Sequence, residues 1–107
     1  MIDFRKLKVG MVVRIKSEDH WDIEDGTCDD VDFSSGLDQE MRKNFGEVGT
    51  IVANNDLAEL SEVSIYDNVD IKFQNDTYAF AWDLHSISEI LNKENYPEYY
   101  LWLGKYL

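Results

Sequence analysis

The stretch NVDIKFQNDTYAFAW, residues 68–82, constrains this chain more than any other part of it. Val69, Ile71 and Phe73 alternate with Asp70 and Lys72, the period of two that marks a strand with one buried face. TYAFAW (77–82) reads as a second strand, and the polar QND between the two supplies turn residues. The pattern predicts a hairpin over 69–82 with Asn75 and Asp76 at its tip.

The same period recurs upstream. MVVRIK (11–16) places Met11, Val13 and Ile15 on one face and Val12, Arg14 and Lys16 on the other, with a turn at Gly10. EVGTIVA (47–53) and EVSIY (62–66) read as further strands. One short helix is expected at about 36–45, where Leu37, Met41 and Phe45 recur every four residues. Ser35 and Asp38 would form its capping box, and Gly46 would stop it. DLHSI (83–87) predicts a tight turn feeding a last strand or helical piece. Pro97, the single proline, suits the first turn of a helix over 97–106. Tyr96, Tyr99, Tyr100, Leu101, Trp102, Leu103, Tyr106 and Leu107 leave that helix almost no polar side, so it must cover the rest of the domain or pack on a second copy.

At 107 residues the chain fits one domain. Short strands with one small helix predict a mainly β fold, a small and strongly bent barrel. The opening Val9-Gly10 followed by Val13-Arg14-Ile15, then Gly46 with Gly49-Thr50-Ile51, then Val69, Ile71 and Phe73, then Trp82 before Asp83-Leu84, form an ordered pattern over residues 4–90. This pattern resembles the small Src-homology-3-like barrels of phage and prophage proteins and, more distantly, the repeats of Mind bomb type ubiquitin ligases. The resemblance implies a barrel, and the chain then divides into a barrel domain over 1–90, with an acidic loop at 17–39, and a helical extension over 91–107; that extension has no counterpart in the pattern, and the insert 54–66 is longer than the pattern has. The matched positions build a barrel and bring no catalytic residue with them.

Charge is distributed unevenly. Residues 1–16 carry net +4, residues 17–38 carry −9 and residues 39–107 carry −7, for a total of −12. No Lys or Arg occurs between Lys16 and Arg42. Such a field repels phosphate backbones and anionic membrane surfaces, which argues against direct binding to nucleic acid or membrane and favours a basic partner. No apolar run approaches the roughly 18 residues of a membrane span, and MIDFRKLKVG has no apolar leader; a cytoplasmic protein is expected.

Catalytic signatures are missing. There is no glycine-rich phosphate loop and no G-x-S-x-G elbow. Cys28, the single cysteine, is followed by Asp29 and Asp30, whose charge opposes thiolate formation next to either His20 or His85. A calcium loop aligned on Gly26 would set Trp21 and Ile23 at its first two ligand positions. The expectation is a protein without enzymatic activity, metal or cofactor. Its partner-binding face would comprise Glu18, Asp19, Trp21, Asp22, Glu24, Asp25, Asp29, Asp30 and Asp32, with Trp21 either anchoring the loop or exposed to the partner. Alternate residues of an extended segment would present spaced anions, Asp22 with Glu24 and Asp30 with Asp32. The leading expectation is an acidic inhibitor that fills the basic groove of a host nucleic-acid-handling protein, as anti-CRISPR and anti-restriction proteins of phages do as a class. Alternatives are an immunity protein against a basic toxin, an adaptor barrel for a peptide or virion component, and a loop whose charge only keeps it solvated.

Overall fold

The computed structural model describes residue 4 and residues 7–53, 67–74, 76 and 78–101; the expected strand at 62–66 and the end of the tail, 102–107, lie outside them. The chain is mainly β. Strands β1 (Val12–Ile15), β5 (Val48–Ala53), β6 (Asn68–Phe73), β7 (Phe80–Asp83) and β8 (Ile87–Leu91) form one antiparallel sheet in the order β7-β6-β5-β1-β8. Three two-residue strands, β2 (Trp21–Asp22), β3 (Thr27–Cys28) and β4 (Val31–Asp32), form a second antiparallel sheet inside the acidic segment. The five-stranded sheet ends at β7 and β8 and is not closed into a barrel, so closure, expected from the sequence, is not seen.

The hairpin forms with Val69 opposite Trp82 and Ile71 opposite Phe80. Its second strand begins at Phe80 rather than at residue 77. Asp76, from the expected tip, is buried: it accepts hydrogen bonds from the Asn44 amide at 2.9 Å and the Lys43 ammonium at 2.9 Å. Two donors from a neighbouring element repay the loss of water around that carboxylate. Leu84–Ser86 makes a single 3-10 turn that leads directly into β8.

The larger core cluster gathers Val13, Ile15, Ile51, Val69, Ile71, Phe73, Trp82 and Leu84, the inward positions that the period of two selects. Val12 departs from the expected pattern. It should have faced water with Arg14, yet it is fully buried against Leu91, with Val48, Tyr96 and Tyr100 packed around them. Helix α1 (Pro97–Leu101) begins at the expected proline, and the residues around it cover this second face. The Tyr100 hydroxyl donates to the Leu91 carbonyl at 2.5 Å.

The expected helix over 36–45 is a shorter 3-10 helix, Gln39–Asn44. Its N-cap is Asp38, whose carboxylate accepts from the Glu40 amide at 2.8 Å, and not Ser35. Ser35 cannot cap it because both its amide and its hydroxyl are bound to Asp83. Met41 still points into the core, with Leu37 and Phe45 half-buried beside it, and Gly46 follows the helix at φ 78°.

Candidate functional site: an acidic three-stranded face

The acidic segment folds because its few apolar residues fall on one side. Trp21 pairs with Cys28, and Cys28 with Val31, across the small sheet; Asp22 pairs with Thr27, and Thr27 with Asp32. Residues directly opposite in an antiparallel pair share a face. Trp21, Cys28 and Val31 therefore form the inner face, with Trp21 and Cys28 buried, and Asp22, Thr27 and Asp32 the outer one, with both aspartates exposed.

Turn chemistry completes the sheet. Asp29 and Asp30 form the two-residue connection between β3 and β4, at φ 50° and 64°. Two successive residues with positive φ are what a type I′ hairpin turn requires, and Asp tolerates that region better than most side chains. The longer turn from β2 to β3 closes through the Asp22 carboxylate, which accepts from the Asp25 amide at 3.1 Å, and through Gly26 at φ 66°. The Phe33 amide donates to the Gly26 carbonyl at 3.0 Å.

Trp21 is the anchor. Its ring stacks on Phe45 at 4.3 Å between centroids, meets the edges of Phe33 and Trp82, and donates from Nε1 to the Lys16 carbonyl at 3.0 Å. With its ring in the core, Trp21 sits beneath the candidate face rather than on it. The other eight residues, Glu18, Asp19, Asp22, Glu24, Asp25, Asp29, Asp30 and Asp32, are all exposed. The expected spacing along single extended segments is not found: Glu24 and Asp30 sit in turns, and Asp22 lines up across the strands with Asp32 instead.

Asp29 differs from the rest. The Lys16 ammonium donates to its Oδ2 at 2.6 Å, and His20 Nδ1 lies 2.7 Å from its Oδ1. These hydrogen bonds, that of Lys16 first and that of His20 second, hold the Asp29 carboxyl below its usual range. Its charge ties the turn to Lys16, the residue after β1, and to the 3-10 turn Glu18–His20. Asp19 also lies below its ordinary value, mainly through the hydrogen bond from the Ser17 hydroxyl. A shallow depression of about 220 Å³ separates this 3-10 turn from the outer face, with Asp19, Asp22, Thr27 and Asp30 along its walls.

Burial pushes the Cys28 thiol up to about 11, with Lys16 opposing and Asp29 reinforcing the shift. A thiol so placed stays protonated at neutral pH and lacks nucleophilic character. Among the described residues no group of three or more His, Cys, Asp or Glu side chains is placed to hold an ion together.

The sequence reading missed the contact that secures the segment's far end. Ser34 and Ser35, directly after the small sheet, both bind the fully buried carboxylate of Asp83 at the end of β7. The partners lie 48 and 49 positions apart, so no local pattern announces them. Compared with known protein families, curated proteins and solved structures, the chain matches none of them.

Proposed function

We propose that this chain is a non-catalytic binding protein whose acidic face occupies the basic groove of a host nucleic-acid-handling protein, in the manner of phage-encoded anti-CRISPR or anti-restriction inhibitors acting in the host cytoplasm. One observation carries the reading. Asp22 and Asp32 flank Thr27 on the solvent side of a folded sheet, with Glu18, Asp19, Glu24, Asp25 and Asp30 exposed around them. Two strand spacings, about 10 Å, separate Asp22 from Asp32, so the face presents anions more widely spaced than the phosphates of one DNA strand, which advance about 3.4 Å each along the helix axis. The face therefore offers a sparse version of a phosphate row, and the surrounding field of net charge −12 attracts a basic partner.

The fold reading that accompanies this proposal is a Src-homology-3-like arrangement. It is supported by the order of the five-stranded sheet, by the long acidic excursion between its first two strands, and by the 3-10 turn before its last strand. Among the described residues no helix is long and apolar enough to cross a membrane.

Changing Glu24, Asp25 and Asp32 together to Lys tests the reading, because none of the three packs in the core, and Asp22 and Asp29 keep their partners. The unmodified protein should capture its partner from a host lysate at low salt and release it as salt rises, since exposed charges are screened beyond about 10 Å at 0.1 M. The reversed protein should fold and capture nothing. Duplex DNA or RNA should displace the unmodified protein; simultaneous binding of both to the captured partner would rule out groove occupation.

A further inference from the structure

Among the described residues the acidic sheet shares no strand pairing with the five-stranded sheet, so contacts outside the ladders determine how its charges are aimed. Trp21 fixes its entrance. Its exit, immediately after Phe33, is held by one carboxylate. Asp83 Oδ2 accepts from the Ser34 amide at 2.6 Å and the Ser34 hydroxyl at 3.0 Å, while Oδ1 accepts from the Ser35 amide at 3.1 Å and from the Ser35 hydroxyl. No solvent reaches Asp83, and the His85 ring stands 3.9 Å from Oδ2. A buried carboxylate is tolerated only where donors replace its water, and here all four come from two consecutive residues of a distant segment.

We propose that Asp83 is the positioning residue of the acidic face: by binding both the backbone and the side chains of Ser34 and Ser35 it holds the three-stranded sheet in one orientation, so that Asp22 and Asp32 are presented as a preformed array. Together with the buried side chains of Trp21, Cys28 and Phe33, the clasp sets the charges on a rigid template, which avoids the cost of ordering the segment on binding. The use made of that array rests on the docking reading given above.

The clasp can be weakened without touching the face, by taking away its two hydroxyl donors while the two amides still bind Asp83. Ser34→Ala with Ser35→Ala leaves every acid in place and the net charge unchanged, whereas Asp83→Asn keeps the shape but turns two acceptor sites into donors. Amide hydrogen exchange should quicken roughly ten- to a hundredfold over residues 20–33 in the double variant, the effect of losing hydrogen bonds to a charged group. The amides of β5 and β6 should keep their rates. Unchanged exchange over 20–33 would overturn the proposal, and so would an equal loss of protection in β5 and β6, which would make the clasp an ordinary core contact. If the double variant does not fold, Ser35→Ala alone, with Ser35→Thr restoring the hydroxyl, gives the same comparison.

A decalysine peptide at low salt serves as the binding probe. The double variant should bind it several-fold more weakly than the unmodified protein; equal binding despite faster exchange would overturn the positioning role. Failure of the unmodified protein to bind the peptide would instead remove the docking reading, and the exchange result would still decide the clasp.

Discussion

At the scale of single residues, Gly49 shows how tightly the main sheet is built. Its backbone conformation is ordinary, so its lack of a side chain answers a demand for space. A Cβ there would lie 2.6 Å from Ile71 Cγ2 and 3.0 Å from the ring of Phe73, both across the β5–β6 ladder. Ile71 is fully buried and Phe73 nearly so, and neither has room to withdraw. Gly49→Ala is therefore expected to destabilise the protein by about 1–3 kcal/mol, the usual cost of overpacking a filled core. Urea unfolding of the two proteins measures it, and an unchanged midpoint would show that the ladder yields. The same crowding accounts for Gly49 within the Gly49-Thr50-Ile51 motif of the second long strand.

At the scale of elements, the acidic hairpin carries its strain at one place. Asp29 and Asp30 both occupy left-handed backbone conformations, but only Asp29 is compensated by contacts with Lys16 and His20. Glycine adopts such a conformation without steric cost. Asp30→Gly should stabilise the protein by about 0.5–1 kcal/mol, seen as a higher denaturation midpoint at unchanged slope. A loss of stability would mean that the Asp30 side chain makes a contribution larger than the strain it causes. Asp29→Gly should destabilise, because it removes the acceptor shared by Lys16 and His20 as it relieves the same backbone.

At the scale of the whole molecule, the C-terminal residues close the second face of the main sheet. Val12 and Leu91, paired across β1 and β8, are completely buried, and Tyr96 and Tyr100 from the following segment pack against them. Deleting residues 96–107 would return that apolar pair to water on a sheet whose edge strand is β8. The truncated protein should self-associate or aggregate, read as an increase in mass by sedimentation. A truncated chain unchanged in association state and equally stable would show that the tail contributes nothing to the domain. Tyr100→Phe should cost about 1 kcal/mol for the lost hydroxyl bond to Leu91 without any change in mass.

Local pattern alone marks β1, β5, β6 and β7, the turn before β8 and the proline that starts α1, while leaving open whether a strand or a helical piece follows that turn. A period of two over five or six residues states both the strand and its buried side, and Pro97 needs no partner to set its own φ. The acidic segment lay beyond that kind of reading. Strands of two residues are too short to display a period, so β2, β3 and β4 looked like a loop, and only pairing revealed that Asp22 and Asp32 share a face. Val12 looked solvated because alternation describes one strand, whereas its cover comes from Tyr96 and Tyr100 far along the chain. Ser35 looked like a helix cap because a capping box is a local motif; Asp83, 48 residues away, takes both its donors and leaves Asp38 to cap the shorter helix. Alternation within single strands is enough to place the inner apolar face of the main sheet, Val13, Ile15, Val69, Ile71 and Phe73. Tertiary structure decided which polar groups were buried and what satisfied them, because a hydrogen bond between distant segments depends on where the folded chain brings them together and leaves no mark on the neighbours of either residue.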